Sequence, residues 1–313
     1  MEQSRPDLTY IHFYNFVYKF SYITKEDWSH IVSKYTKESR HLDITKNANE
    51  IIYKLNDSLK LKYSSIIFNS MIFFHRYYIY NLYSNNHFEL DNSKLAIIAV
   101  TCFFIATKSF DVKIKIDVIL EYSYKCGVLQ NNQNQKNKEE LLFYEQDILC
   151  VNGFNINDFG ITNTDSYTIL EEIFKLYKIQ IKDSSLKRVK KSFYRIIRLS
   201  FIFPFFLNYS PKTIVLSCIN TLFKLLFPNY SNQIFDGKEY SDIRTDIINC
   251  SNLFEHFFII KKENTNDNII SNIINNTNHE NVSSNENNVE KEESELNFEI
   301  IRTINSSQNN NSL

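Results

Sequence analysis

The sequence predicts an all-α protein built from two copies of one helical unit, and three observations predict it. Glycine and proline are scarce, four of each in 313 residues, so few tight turns punctuate the chain. Long segments space their apolar residues three and four apart, the period of a helix, and not in the alternation of a strand. One segment also recurs. AIIAVTCFFIATK (96–108) lines up with TIVLSCINTLFK (213–224), matching Thr101 to Ser217, Cys102 to Cys218 and Lys108 to Lys224 at an offset of 116. The simplest reading of this weak recurrence is a duplicated unit of roughly 110 residues, with a chance match between two apolar helices as the alternative.

The elements follow in order. TKEDWSHIVSKYT (24–36) reads as a short helix with Thr24 as N-cap, Glu26 and Asp27 in the first turn, and Trp28 as a packing anchor. A second helix spans 45–59, where Ala48, Ile51, Ile52 and Leu55 share one face. Longer apolar helices follow at 63–83 and 93–108, then a shorter one at 114–125. An Asn- and Gln-rich gap at 129–137 precedes KEELLFYEQDILCV (138–151), and Gly153 stands where a helix C-terminus is expected. Further helices are expected at 164–178, 184–203, 211–227 and 240–260. Ser210-Pro211 opens the third of these as N-cap and first helical residue. From residue 263 the chain turns to Asn, Ser and acidic residues, too polar to offset ordering entropy, so 263–313 is expected to be a disordered tail.

Composition excludes several function classes. The formal net charge is −1, so no global field draws the chain to nucleic acid or an anionic membrane. The five cysteines are widely spaced with no CxxC, and read as reduced core residues rather than a zinc or disulfide framework. No Gly-rich phosphate loop, no nucleophile–histidine pair and no set of residues at metal-ligand spacing occurs, so the residues point to no cofactor. MEQSRPDLTY lacks the apolar core of a secretory signal, and LSFIFPFFL (199–207) is about half a membrane span, interrupted by Pro204. An intracellular protein without membrane contact is the expectation.

Three segments carry a resemblance in order: FFHRYYIYNLYS, AVTCFFIATKSFD and ELLFYEQDILCVNGFNI. Together they resemble the cyclin box, in particular that of transcriptional cyclins of the T, K, L and C type. The second segment resembles a helix of the form TCLFLAxK followed by an acidic pair. The third resembles LExxILxxLGF followed by an apolar residue. TKEDW (24–28) is similar to the start of the helix that precedes the box, and NYSPKTIVLSCINTLFK (208–224) to the third helix of a second cyclin repeat. The resemblance spans residues 20–260. It implies two tandem five-helix cyclin folds: an N-terminal extension with a helix at 1–43, a first box at 44–157 and a second fold at 158–262.

What the resemblance implies for function is a non-catalytic subunit that binds and activates a cyclin-dependent kinase, acting in transcription or RNA processing and located in the nucleus, with a cytoplasmic pool as well. Carried over by position, Lys108 and Glu145 form the charged pair that reaches backbone groups beside the start of the kinase αC helix. An ammonium suits carbonyls and a carboxylate suits N–H groups. Ile105, Leu149, Phe154 and Ile156 are implied as the apolar pocket for that helix, with Phe110 beside Lys108. The chain departs from the family where the acidic pair becomes Phe110-Asp111, and where Lys46 replaces an arginine. No MRAIL-like motif is present, which disfavours docking of RxL-type substrates.

Plainer readings stand beside these. Lys108 is also a helix C-terminal cation favoured by the dipole, and Glu145 a solvated residue near Lys136 or Lys138. His75, at an apolar helix position, reads as a hydrogen-bonded core group. SLKRVKK (185–191) reads as a solvated helix face, with a nuclear import signal as the alternative. A general transcription factor of the TFIIB-like kind, or a scaffold with paired cyclin folds, is the alternative for the whole chain. The former would carry a zinc ribbon and a basic surface, whereas the first forty residues contain no cysteine.

Overall fold

In the computed structural model, the described residues run from 24 to 258 apart from short stretches, the longest of them 155–162 and 228–234. The expected tail at 263–313 and the candidate Ile156 lie outside the described residues. Every regular element among the described residues is helical: α1 (Lys25–Lys37), α2 (Ser39–Ser58), α3 (Ser64–Ser84), α4 (Asn92–Ser109), α5 (Ile116–Lys125), α6 (Asn134–Val151), α7 (Asn163–Leu176), α8 (Asp183–Ser200), α9 (Pro211–Leu226) and α10 (Arg244–Phe258). Two compact units divide the chain. One comprises residues 1–180 with 197–215, the other 181–196 with 216–313.

The first unit is arranged around α4, which packs against α2, α3, α5 and α6. Its sequence explains this position. From Leu95 to Thr107 every residue is buried, so the helix presents apolar surface on all sides and other helices must surround it. Its two threonines in that stretch bond backward along their own helix, Thr101 Oγ1 to the Ile97 carbonyl at 2.7 Å and Thr107 Oγ1 to Phe104 at 2.7 Å, so no polar group in them is stranded. Asp91 caps the N-terminus by accepting from the Lys94 N–H at 2.8 Å.

Helix α1 begins as its sequence requires, with Thr24 Oγ1 accepting from the Asp27 N–H at 3.1 Å. Trp28 is an anchor: its ring meets Phe203 and Tyr209 edge-on, each at 5.7 Å. Tyr35 adds a second edge contact to Phe203 at 5.1 Å. Segment 201–209 is therefore part of the first unit's core, and His75 fixes it by donating from Nε2 to the Phe201 carbonyl at 2.8 Å.

Some boundaries differ from the sequence expectation. Helix α8 ends at Ser200 rather than 203, because Pro204 disfavours helical geometry in the residue before it and a turn leads into the 3-10 turn Phe205–Leu207. Helix α6 starts at Asn134, inside the expected gap. Local pairs sustain that extra turn: Gln135 donates to Glu139 at 2.8 Å, Lys136 pairs with Glu140 at 3.7 Å, and buried Asn137 donates to the Gln130 carbonyl at 3.2 Å. Helix α9 starts at Pro211 as expected, with Ser210 Oγ accepting from the Thr213 N–H at 3.1 Å.

The SLKRVKK cluster lies in α8. Val189, Phe193, Ile196 and Ile197 form that helix's buried stripe, and Lys187 and Lys191 are exposed. All five cysteines are free thiols; Cys102, Cys218 and Cys250 are buried, Cys126 and Cys150 half-buried. Among the described residues no helix is long and apolar enough to cross a membrane, and no cluster of side chains could hold a metal ion.

Candidate functional site: the α4–α6 charged pair

Lys108 sits in the last turn of α4 and Glu145 on the outward side of α6, and their side chains meet at 2.5 Å. The pair is lopsided in its access to water: the lysine side chain is 47% exposed, the glutamate 15%. Beneath the ammonium lies the face of Phe104, one helical turn back, with Nζ 4.1 Å from the ring centroid. Phe104 itself is buried. The lysine is thus held by a carboxylate at its side and a ring below, with about half of its side chain open to solvent.

Both helix ends at this site are closed by left-handed residues. After Lys108, the Asp111 N–H donates to the Lys108 carbonyl at 3.1 Å and the Val112 N–H to Thr107 at 3.0 Å. Asp111 has φ of 55°, a conformation that aspartate tolerates better than most residues. This gives the Phe110-Asp111 departure a structural meaning. Phe110 is the half-buried C-cap residue and Asp111 makes the turn. After α6, Gly153 and Phe154 both have positive φ, 61° and 56°, and the Phe154 N–H donates to the Leu149 carbonyl at 2.8 Å. A phenylalanine in this region is strained, by about 1–2 kcal/mol. It nevertheless stands 63% exposed, with no burial to offset that strain.

The structure joins Lys108 to Glu145; Phe110 follows Lys108 at the C-cap of α4, Leu149 lies one turn after Glu145, and Phe154 stands just beyond the end of α6. Leu149 is half-buried one turn after Glu145. Ile105, four residues before Ser109 on α4, is buried at 1% exposure in the free chain. Two residues escaped the sequence reading. Leu142 is 50% exposed and lies with Glu145 and Leu149 on one face of α6, at spacings of three and four. Phe104 supplies the ring under Lys108. Each had a signal available, the spacing from Glu145 for one and from Lys108 for the other.

The second unit carries the same pair. Lys224 on α9, the repeat partner of Lys108, meets Glu255 on α10 at 2.7 Å. The match to Lys224 was visible in the repeat, whereas Glu255 was not. One turn below, Asn220 Nδ2 donates to Ser251 Oγ at 3.0 Å, and Ser217 Oγ to the Ile247 carbonyl at 3.1 Å. The α9–α10 seam is therefore polar where the α4–α6 seam is apolar.

The architecture is that of tandem cyclin-like folds. A chain in the structure of the CAK complex from Chaetomium thermophilum bound to ATP-gamma-S is similar to this chain, with a TM-score of 0.50 and 14% identity, over 80% of this chain and 78% of that one. No family model matches the sequence, and no curated protein matches it.

Proposed function

We propose that the chain is a non-catalytic regulatory subunit that binds and activates a cyclin-dependent kinase. The observation that carries this reading is the Lys108–Glu145 pair, formed at the surface, with exposed Leu142 and half-buried Leu149 one turn either side of Glu145 on the same helix face. An apolar patch around a charged pair suits a partner that offers apolar side chains and free backbone groups together. The cyclin-like fold supports the reading at the level of architecture. Activation then follows from linkage: the subunit binds the active kinase conformer more tightly and shifts its population by that difference in affinity.

A place in transcription or RNA processing, and with it a nuclear location, belongs to the same proposal. The resemblance to transcriptional cyclins and the lack of an MRAIL-like motif support it. Imaging of the tagged full-length chain tests the location.

The binding site is tested by replacing Lys108→Ala together with Glu145→Ala. Loss of an exposed ion pair lowers stability by about 0–1 kcal/mol, so the fold survives. Co-purification with a cyclin-dependent kinase catalytic subunit, and stimulation of its activity, should both be lost. Co-purification at the wild-type level would overturn the site.

A further inference from the structure

We propose that Phe104 is a positioning residue for this docking surface, acting through Lys108. Its ring holds the ammonium in place without consuming the hydrogen bonds that a partner would use. The inference rests on the kinase-regulator reading for the identity of the partner, but its geometry stands in the free chain.

A lysine on a long stem loses rotamer freedom when it is held for a partner, and that loss weakens binding unless the free protein has already ordered the side chain. Glu145 alone orders it incompletely, because one carboxylate at the side of an exposed ammonium leaves the stem free to swing about the contact. The face of Phe104, 4.1 Å below Nζ, supplies a second attraction from another direction. Two attractions at an angle fix a point. The ring offers no lone pair, so the ammonium keeps N–H groups for carbonyls outside the chain.

The second unit serves as an internal comparison. The repeat offset places Asn220 where Phe104 stands. There the same ion pair forms at 2.7 Å with an asparagine, not an aromatic, one turn back, and that residue spends its amide on Ser251 across the seam. Ion pairing therefore does not require the aromatic. What the aromatic adds is specific to the first unit, where exposed Leu142 shares the helix face of Glu145.

The test uses the full chain in two arms. In the first, NMR of lysine-labelled protein without partner should show the Lys108 ε-methylene resonances shifted upfield by the Phe104 ring. Phe104→Leu, which keeps an apolar filler, should return them to the positions of exposed lysines. Ordinary Lys108 shifts in the wild-type chain would overturn the proposal whatever the partner is. In the second arm, affinity for a purified cyclin-dependent kinase catalytic subunit is measured in a cycle of Phe104→Leu and Lys108→Met. Phe104→Leu alone should weaken binding about three- to thirty-fold, the range of a cation–π contact, and should have no further effect once Lys108 is methionine. Equal losses in both backgrounds would mean a packing role only, and would overturn the positioning role. If the wild-type chain binds no such kinase subunit, the functional reading fails while the first arm still decides whether the ring positions Lys108.

Discussion

At the scale of the residue, burial sets protonation at His75. The ring is fully enclosed in the first unit and its Nε2 donates to the Phe201 carbonyl, so the neutral tautomer with its proton on Nε2 is the bound form. Loss of hydration pushes its pKa down to about 4, against a weaker opposing pull from that carbonyl. The sign follows from proton counts. Between pH 6.5 and about 4 the unfolded chain holds a proton on this ring and the folded chain does not, so stability falls as pH falls through that window. The loss amounts to roughly 3 kcal/mol once pH reaches the folded value. His41, whose pKa is also lowered by burial, contributes with the same sign. Replacing His75→Gln removes the larger titration while leaving a side-chain donor. Urea midpoints measured at pH 7 and pH 4.5 should then converge relative to wild type. An unchanged gap between the two pH values would mean that His75 does not titrate in this window.

At the scale of the element, the end of α6 concentrates the site's strain. Phe154 holds φ of 56° and is exposed, so its side chain contributes little to the fold and its backbone geometry opposes it. Phe154→Asn keeps a residue that accepts this geometry. Stability should be unchanged or rise by up to about 1 kcal/mol, while affinity for the kinase subunit falls. A clear loss of stability by urea titration would show that the ring supports the fold after all. The same helix shows how far its sequence could be read. The apolar period of α4 and α6, the cap at Thr24 and the start at Pro211 are local properties, and each was legible. Leu141 and Leu142 are identical neighbours, yet one is fully buried and the other half exposed. That difference is set by which face α4 and α5 cover, and no local pattern carries it. Phe103 and Phe104 pose the same problem, since both are buried aromatics and only one lies under Lys108. The Lys108–Glu145 pair was expected from the ordered motifs, whereas the ring beneath Lys108 became visible only in three dimensions.

At the scale of the whole molecule, the first unit is discontinuous in sequence. It needs residues 197–215, which return to it after the chain has contributed 181–196 to the other unit. Phe203 sits at the centre of that return: fully buried, edge-on to Trp28 and Tyr35, and 4.8 Å from Phe205. Phe68 meets Phe201 at 5.1 Å, and His75 anchors the same segment by its hydrogen bond. Phe201, Phe203 and Phe205 all lie beyond residue 180, so a chain of residues 1–180 lacks them. Removing one such ring, as in Phe203→Ala, leaves a cavity and should lower stability by about 3–5 kcal/mol, a large part of what a domain of this kind possesses. Removing the segment altogether exposes Trp28, Tyr35, Phe68 and His75 at once, so a chain ended at residue 180 should not melt cooperatively. Urea titration of Phe203→Ala and a thermal melt of the shortened chain check both statements. A sharp melt with a dispersed NMR spectrum from residues 1–180 would mean that the first repeat closes its own core and that segment 201–209 only covers it.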